Sequence, residues 1–70
     1  MRIGVPREIK DGERRVGLAP DGARRLVGAG HRVLVERSAG AAVGFDDASY
    51  ARCGAEVVDV RDVWRCELIV

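Results

Sequence analysis

Apolar and polar residues alternate along this chain in blocks that change period. Arg2-Ile3-Gly4-Val5 is a short apolar run closed by Pro6, which cannot donate a ladder hydrogen bond; it reads as a first strand. Residues 7 to 19 carry much charge and few apolar positions, a long connection. From Pro20 the spacing becomes helical: Ala23, Leu26 and Val27 share one face, with Arg24 and Arg25 off it. Proline suits a first helical turn, Asp21 complements the helix dipole there, and Gly28 and Gly30 mark the end. Arg32-Val33-Leu34-Val35-Glu36 has the continuous apolar centre of a strand buried on both faces. A glycine-rich loop runs from Ser38 to Phe45, and Asp46 or Asp47 caps a short helix over 46 to 53, closed by Gly54. Ala55 to Val58 is a third strand. Residues 59 to 65 read as one or two helical turns with Val60, Val63 and Trp64 inward, and Glu67 to Val70 opens a fourth strand.

Strand and helix thus alternate from end to end. Short crossovers between parallel strands place helices on both faces of the sheet, so the fold class is α/β, with an incomplete parallel sheet of Rossmann or flavodoxin-like type. The two stretches G-H-R-V-L-V-E and G-A-E-V-V-D both follow a helix-ending glycine, which is repeated supersecondary grammar and no solenoid repeat. A final apolar run, Leu68-Ile69-Val70, reads as a buried strand whose continuation is missing, so a partial chain is expected.

Composition narrows the function classes. Seventy residues allow one small domain with a marginal core. Twelve basic residues against eleven acidic ones give no global field that would favour nucleic acid or an anionic membrane. No segment approaches the ~20 apolar residues of a membrane span, and no apolar run follows the N-terminus as in a signal peptide, so a cytoplasmic location is expected. Cys53 and Cys66 fit no metal-binding spacing, and they read as two isolated thiols that pack as small apolar residues.

Three local patterns invite chemistry. Gly28-Ala29-Gly30-His31-Arg32-Val33 contains G-x-G-x-x-V, but a dinucleotide fingerprint must follow a strand and open a helix. Here the glycines close a helix, and a C-cap is the reading. His31, at the opposite edge of the sheet from the expected ligand side, reads as a surface or cap residue. The loop Gly40 to Gly44 follows a strand but lacks the Lys-Ser/Thr of a P-loop and the Rossmann spacing, so it reads as a tight backbone path or as one wall of a ligand cleft. The connection after the first strand is the third. It lies where open α/β sheets bind ligands and holds Arg7, Lys10, Arg14 and Arg15. A guanidinium offers a planar fork that matches a carboxylate. Either one of these cations faces a substrate, or all are solvated or paired with Glu8, Asp11 and Glu13.

The stretches I-G-V-P-R-E-I-K, E-R-R-V-G-L-A-P, G-H-R-V-L-V-E, G-F-D-D, R-C-G-A-E and V-W, in this order over the whole chain, resemble the N-terminal part of the alanine dehydrogenases and the related region of nicotinamide nucleotide transhydrogenases. The resemblance implies residues 1–70 as the start of the substrate-binding domain, with the nucleotide-binding domain absent. It implies oxidation of L-alanine to pyruvate and ammonia with reduction of NAD, in the cleft between two Rossmann-like domains. In that family the arginine of E-x-R-V binds the substrate carboxylate; the match here is Arg15, with Glu13 and Val16 completing the motif and Arg14 at the variable position. The other active-site residues of the family, a lysine, a histidine and an aspartate, have no match in this chain, and His31 does not stand in for the histidine. A homo-oligomer, a hexamer, is implied for the full-length enzyme, and the 70 residues alone are expected to be inactive. Other readings are the start of a transhydrogenase α-subunit, a non-catalytic small α/β binding module, and, more distantly, a saccharopine dehydrogenase.

Overall fold

A computed structural model describes residues 1–8 and 16–70. Four strands form one parallel sheet: β1 (Arg2–Val5), β2 (Arg32–Glu36), β3 (Glu56–Val58) and β4 (Leu68–Ile69). Three helices connect them: α1 (Pro20–Gly28), α2 (Asp47–Arg52) and α3 (Val60–Val63), with a 3-10 turn at Ala41–Val43. These spans agree with the expected elements to within two residues at each end.

The strand order is β3-β2-β1-β4. The chain steps outward from β1 to β2 to β3, then crosses back to the far side of β1. Register explains how the two faces fill. Ile3 pairs with Val33 and Val5 with Val35, so these four side chains share one face. Ala23 of α1 and Tyr50 of α2 close that face, and both are fully buried. Leu26, Val27, Phe45 and Val57 pack around them. The other face carries Gly4, Leu34 and Ile69 under α3. A Cβ on Gly4 would stand 2.6 Å from the backbone oxygen of Val63, so the missing side chain is what lets α3 lie on β1. Helices therefore do cover both faces, two on one and one on the other.

Helix ends follow from local chemistry. Pro20 starts α1, and Asp21 sits in its first turn. Gly30, at φ 96°, supplies the left-handed residue just beyond the helix, and Gly54, at φ 93°, does the same after α2. Asp46 caps α2: its Oδ1 accepts from the Ser49 backbone N–H at 2.8 Å and from the Ser49 hydroxyl at 2.7 Å. These hydrogen bonds hold the Asp46 carboxyl below the usual carboxylate range.

One expectation fails. Val60 and Trp64 do not turn inward with Val63. Val63 is fully buried, but Val60 is 42% exposed and Trp64 59% exposed. The helix α3 has only four residues, too few to present a wide face, and its single buried position lies over Gly4. The two cysteines are unpaired, Cys53 buried and Cys66 half-buried. Burial pushes the Cys66 thiol up, away from a reactive thiolate.

Candidate functional site

The strand order places a topological switch point between β1 and β4: from β1 the chain steps to β2 and β3 on one side, and from β3 it crosses over to add β4 on the other. In open parallel sheets a crevice opens there beyond the strand carboxyl ends. A groove of about 610 Å³ lies at this position. Its walls are Pro6, Arg7 and Glu8 after β1, Glu36 at the end of β2, Ile69 and Val70 at the end of β4, and Val60 and Trp64 of α3. The exposure of Val60 and Trp64 thus has a place: they form an apolar wall of the groove. Opposite them stand one guanidinium and two carboxylates.

Local sequence builds this site. The β1–β2 register ends at the pair Val5 and Val35, and Pro6 brings no donor to extend it. The next donor, the Arg7 backbone N–H, bonds instead to Glu36 Oε1 at 2.8 Å. A side chain thereby takes over where the ladder stops. The far flank of the connection returns to the same edge. Gly17 lies so close to Val70 that a Cβ there would stand 3.0 Å from the Val70 carbonyl oxygen. One residue on, the Leu18 carbonyl accepts from the Tyr50 hydroxyl at 2.7 Å. That bond satisfies the one polar atom of the largest fully buried side chain.

Of the four cations singled out in the connection, Arg7 is described and lines the groove. Lys10, Arg14 and Arg15, with Asp11 and Glu13, lie outside the described residues. Glu36 and Trp64 were missed as site residues. The signal for Glu36 was its position, a carboxylate closing an apolar strand at the ligand edge. For Trp64 the signal was the shortness of the helix pattern around it.

The glycine patterns keep their structural roles. Gly28 ends α1 and Gly30 follows it, so neither faces a helix N-terminus as a pyrophosphate site requires. In the loop 40–44, a Cβ on Gly40 would meet Phe45 Cβ at 2.7 Å, which accounts for that glycine by packing. The G-x-G-x-x-V pattern therefore does not form a strand-to-helix pyrophosphate turn. His31 is half-buried at the start of β2, and its backbone N–H donates to the Leu26 carbonyl at 3.1 Å. Among the described residues no group of three or more His, Cys, Asp or Glu could hold a metal ion. No described helix is long and apolar enough to cross a membrane. A second groove, about 320 Å³, runs between α1 and α2 past Arg24 and Arg52. None of its lining residues lies in a strand.

Comparison with known proteins places this geometry. Residues 4–70 match the family model described as alanine dehydrogenase/PNT, N-terminal domain. Alanine dehydrogenase 2 of Staphylococcus aureus (strain USA300) is 48% identical over 71 residues, an alignment that covers 100% of this chain and 19% of that protein. The chain thus spans about a fifth of the length of the curated relatives it matches. A solved L-alanine dehydrogenase superposes with a TM-score of 0.97 at 51% identity, over 100% of this chain and 20% of the other. The transhydrogenase from Sinorhizobium meliloti superposes with a TM-score of 0.93 at 26% identity, over 99% of this chain and 21% of the other. With residues 4–70 matched by the family model and the whole chain aligned to these relatives, the chain belongs to the alanine dehydrogenase/PNT N-terminal domain family.

Proposed function

We propose that residues 1–70 form the first part of the substrate domain of an NAD-dependent alanine dehydrogenase, and that Arg15 binds the substrate carboxylate. The observation that carries this reading is the convergence of both flanks of the charged connection on the switch-point groove. Arg7 lines it on one side, and Gly17 packs against Val70 on the other. In the reaction L-alanine, water and NAD⁺ become pyruvate, ammonium, NADH and a proton. The part assigned to this chain is limited to binding and orientation. A guanidinium holds the carboxylate through two parallel hydrogen bonds, and the α-carbon is thereby fixed for hydride departure.

NAD is assigned to a second domain outside these residues, as the family resemblance implies. Hydride transfer requires cofactor, carboxylate holder and proton-transfer group in one cleft. The 70 residues alone are therefore expected to form no NADH from L-alanine, and detectable alanine-dependent NADH formation by the purified chain would overturn that expectation. The full-length enzyme is proposed to be a cytoplasmic homo-oligomer, a hexamer, and sedimentation of the full-length protein tests the assembly.

Arg15→Lys in the full-length protein tests the central assignment. Lysine keeps the charge and loses the fork. The expected result is a rise of roughly 10- to 100-fold in KM for L-alanine and pyruvate, with NADH affinity unchanged. Unchanged pyruvate affinity excludes the role. A transhydrogenase, the second reading favoured by the Sinorhizobium meliloti superposition, is distinguished by hydride exchange between NAD(H) and NADP(H) without L-alanine.

A further inference from the structure

Two helix arginines differ from the strand-flanking ones in what they bond. Arg32 and Arg37 each reach a carboxylate, Glu56 and Asp59 respectively. Arg24 of α1 instead donates from Nη2 to the Cys53 sulfur at 3.7 Å, and Arg52 of α2 donates from Nη2 to the Ser49 hydroxyl at 3.2 Å. The hydrogen of that hydroxyl goes to Asp46 Oδ1 at 2.7 Å, so a lone pair is what meets Arg52. Among the described residues neither Arg24 nor Arg52 forms an ion pair. A guanidinium has five N–H donors, and sulfur is a weak acceptor. Both arginines line the groove of about 320 Å³ between α1 and α2. Pro20 and the half-buried Phe45 give this groove an apolar surface, and Asp21 stands in the same wall. It shares no residue with the groove at the switch point.

We propose that the groove between α1 and α2 is a second ligand site, which takes a small organic anion: its oxyanion binds Arg24 and Arg52, and its apolar body lies against Phe45 and Pro20. The site is separate from the substrate assignment above and does not depend on it. Two cations that line one groove repel one another, and a bound anion turns that repulsion into attraction. Anionic oxygens are also stronger acceptors for a guanidinium than a thiol sulfur or a hydroxyl. One fork fills a carboxylate, whereas the three terminal oxygens of a phosphate monoester can accept from two forks at once. The phosphate ester is therefore the better match. Asp21 opposes it, because its carboxylate repels an anion in the same groove. This gives the site a signed signature: removing either guanidinium weakens binding, and removing the Asp21 charge strengthens it.

The test is titration calorimetry on the full-length protein at low ionic strength. The probes are phenyl phosphate, benzoate, inorganic phosphate and the uncharged benzyl alcohol. Three variants accompany the parent: Asp21→Asn, Arg52→Gln, and Arg24→Gln combined with Arg52→Gln. Both arginines are exposed helix residues and glutamine is a good helix former, so these proteins keep the fold. Phenyl phosphate is expected to bind the parent more tightly than inorganic phosphate does, and benzyl alcohol is expected not to bind. Arg52→Gln should weaken phenyl phosphate about tenfold, and the double variant more than that. Asp21→Asn should strengthen it about two- to fivefold. Benzoate that binds more tightly than phenyl phosphate, and is lost in the double variant, upholds the site and assigns it to carboxylates. No binding of either aromatic anion to the parent overturns the proposal. Binding that survives unchanged in the double variant also overturns it, because the anion then sits elsewhere on the protein. Inorganic phosphate as tight as phenyl phosphate removes the apolar body from the proposal and overturns it in that form.

Discussion

Single glycines decide how tightly this small domain closes. Gly4 and Gly28 are both strand or helix residues without positive φ, yet their surroundings differ. A Cβ at Gly4 meets the Val63 backbone oxygen at 2.6 Å and Ile69 Cδ1 at 3.0 Å, whereas a Cβ at Gly28 meets nothing within 4 Å. Backbone cannot yield as a flexible side-chain tip can. Gly4→Ala is thus expected to force α3 off β1 and to cost about 1–3 kcal/mol. Gly28→Ala, which removes unfolded-state freedom without a clash, is expected to stabilise by up to about 1 kcal/mol. Urea midpoints of the two variants check the pair. Midpoints that move in the same direction would contradict the packing argument. The same residue scale explains what the sequence hid: nothing in R-I-G-V says that its glycine is the landing site of a helix sixty residues later.

At the scale of elements, alternation and punctuation were legible because each boundary has a local cause. Pro6, Pro20, Asp46, Gly30 and Gly54 act on their immediate neighbours, and the elements they bound are those observed. Strand order was not legible in the same way. It depends on which side of β1 each crossover takes, and four strands of two to five residues carry no local mark of it. The inward placement of Val60 and Trp64 failed for a related reason. Apolar character says only that a residue prefers cover, and α3 is too short to provide it. The Asp46 cap yields a pH prediction. The Ser49 hydroxyl and N–H lower the folded-state pKa of Asp46 below its unfolded value. Its contribution to stability is therefore complete above the ordinary aspartate pKa, about 3.9, and is lost as pH falls through the lower folded value. The Glu56 carboxyl is lowered too, by its hydrogen bond to Arg32, so it also weakens the fold on the acid side. The informative quantity is then a difference between proteins. Asp46→Asn still caps a helix but does not titrate. The parent is expected to lose stability more steeply than Asp46→Asn below about pH 4. Parallel stability curves would show that the cap hydrogen bonds do not act as described.

Across the whole molecule, apolar exposure is uneven. The buried core lies under α1 and α2, while Leu68, Val60, Trp64 and Val70 are 42–59% exposed around α3 and β4. Leu68 pairs with Ile3 in the sheet, so it stands on the face that α1 and α2 cover further across. Ile3 is 3% exposed and Leu68 is 48% exposed, which locates the limit of that cover between β1 and β4. On its other side β4 pairs with no described strand, and its free backbone groups are a template for pairing with another chain. An apolar edge with unpaired donors and acceptors drives association, and a chain of 70 residues has little core stability to oppose it. The isolated 70-residue chain is expected to self-associate in a concentration-dependent way. Leu68→Lys should reduce this, because a lysine on the face of an edge strand opposes a second sheet without touching the Ile3 and Gly4 ladder. Sedimentation velocity over a concentration series checks both. A parent that stays monomeric, or a Leu68→Lys variant that associates as strongly as the parent, would place the sticky surface elsewhere, and the Val60–Trp64 wall of the groove would be the next surface to charge.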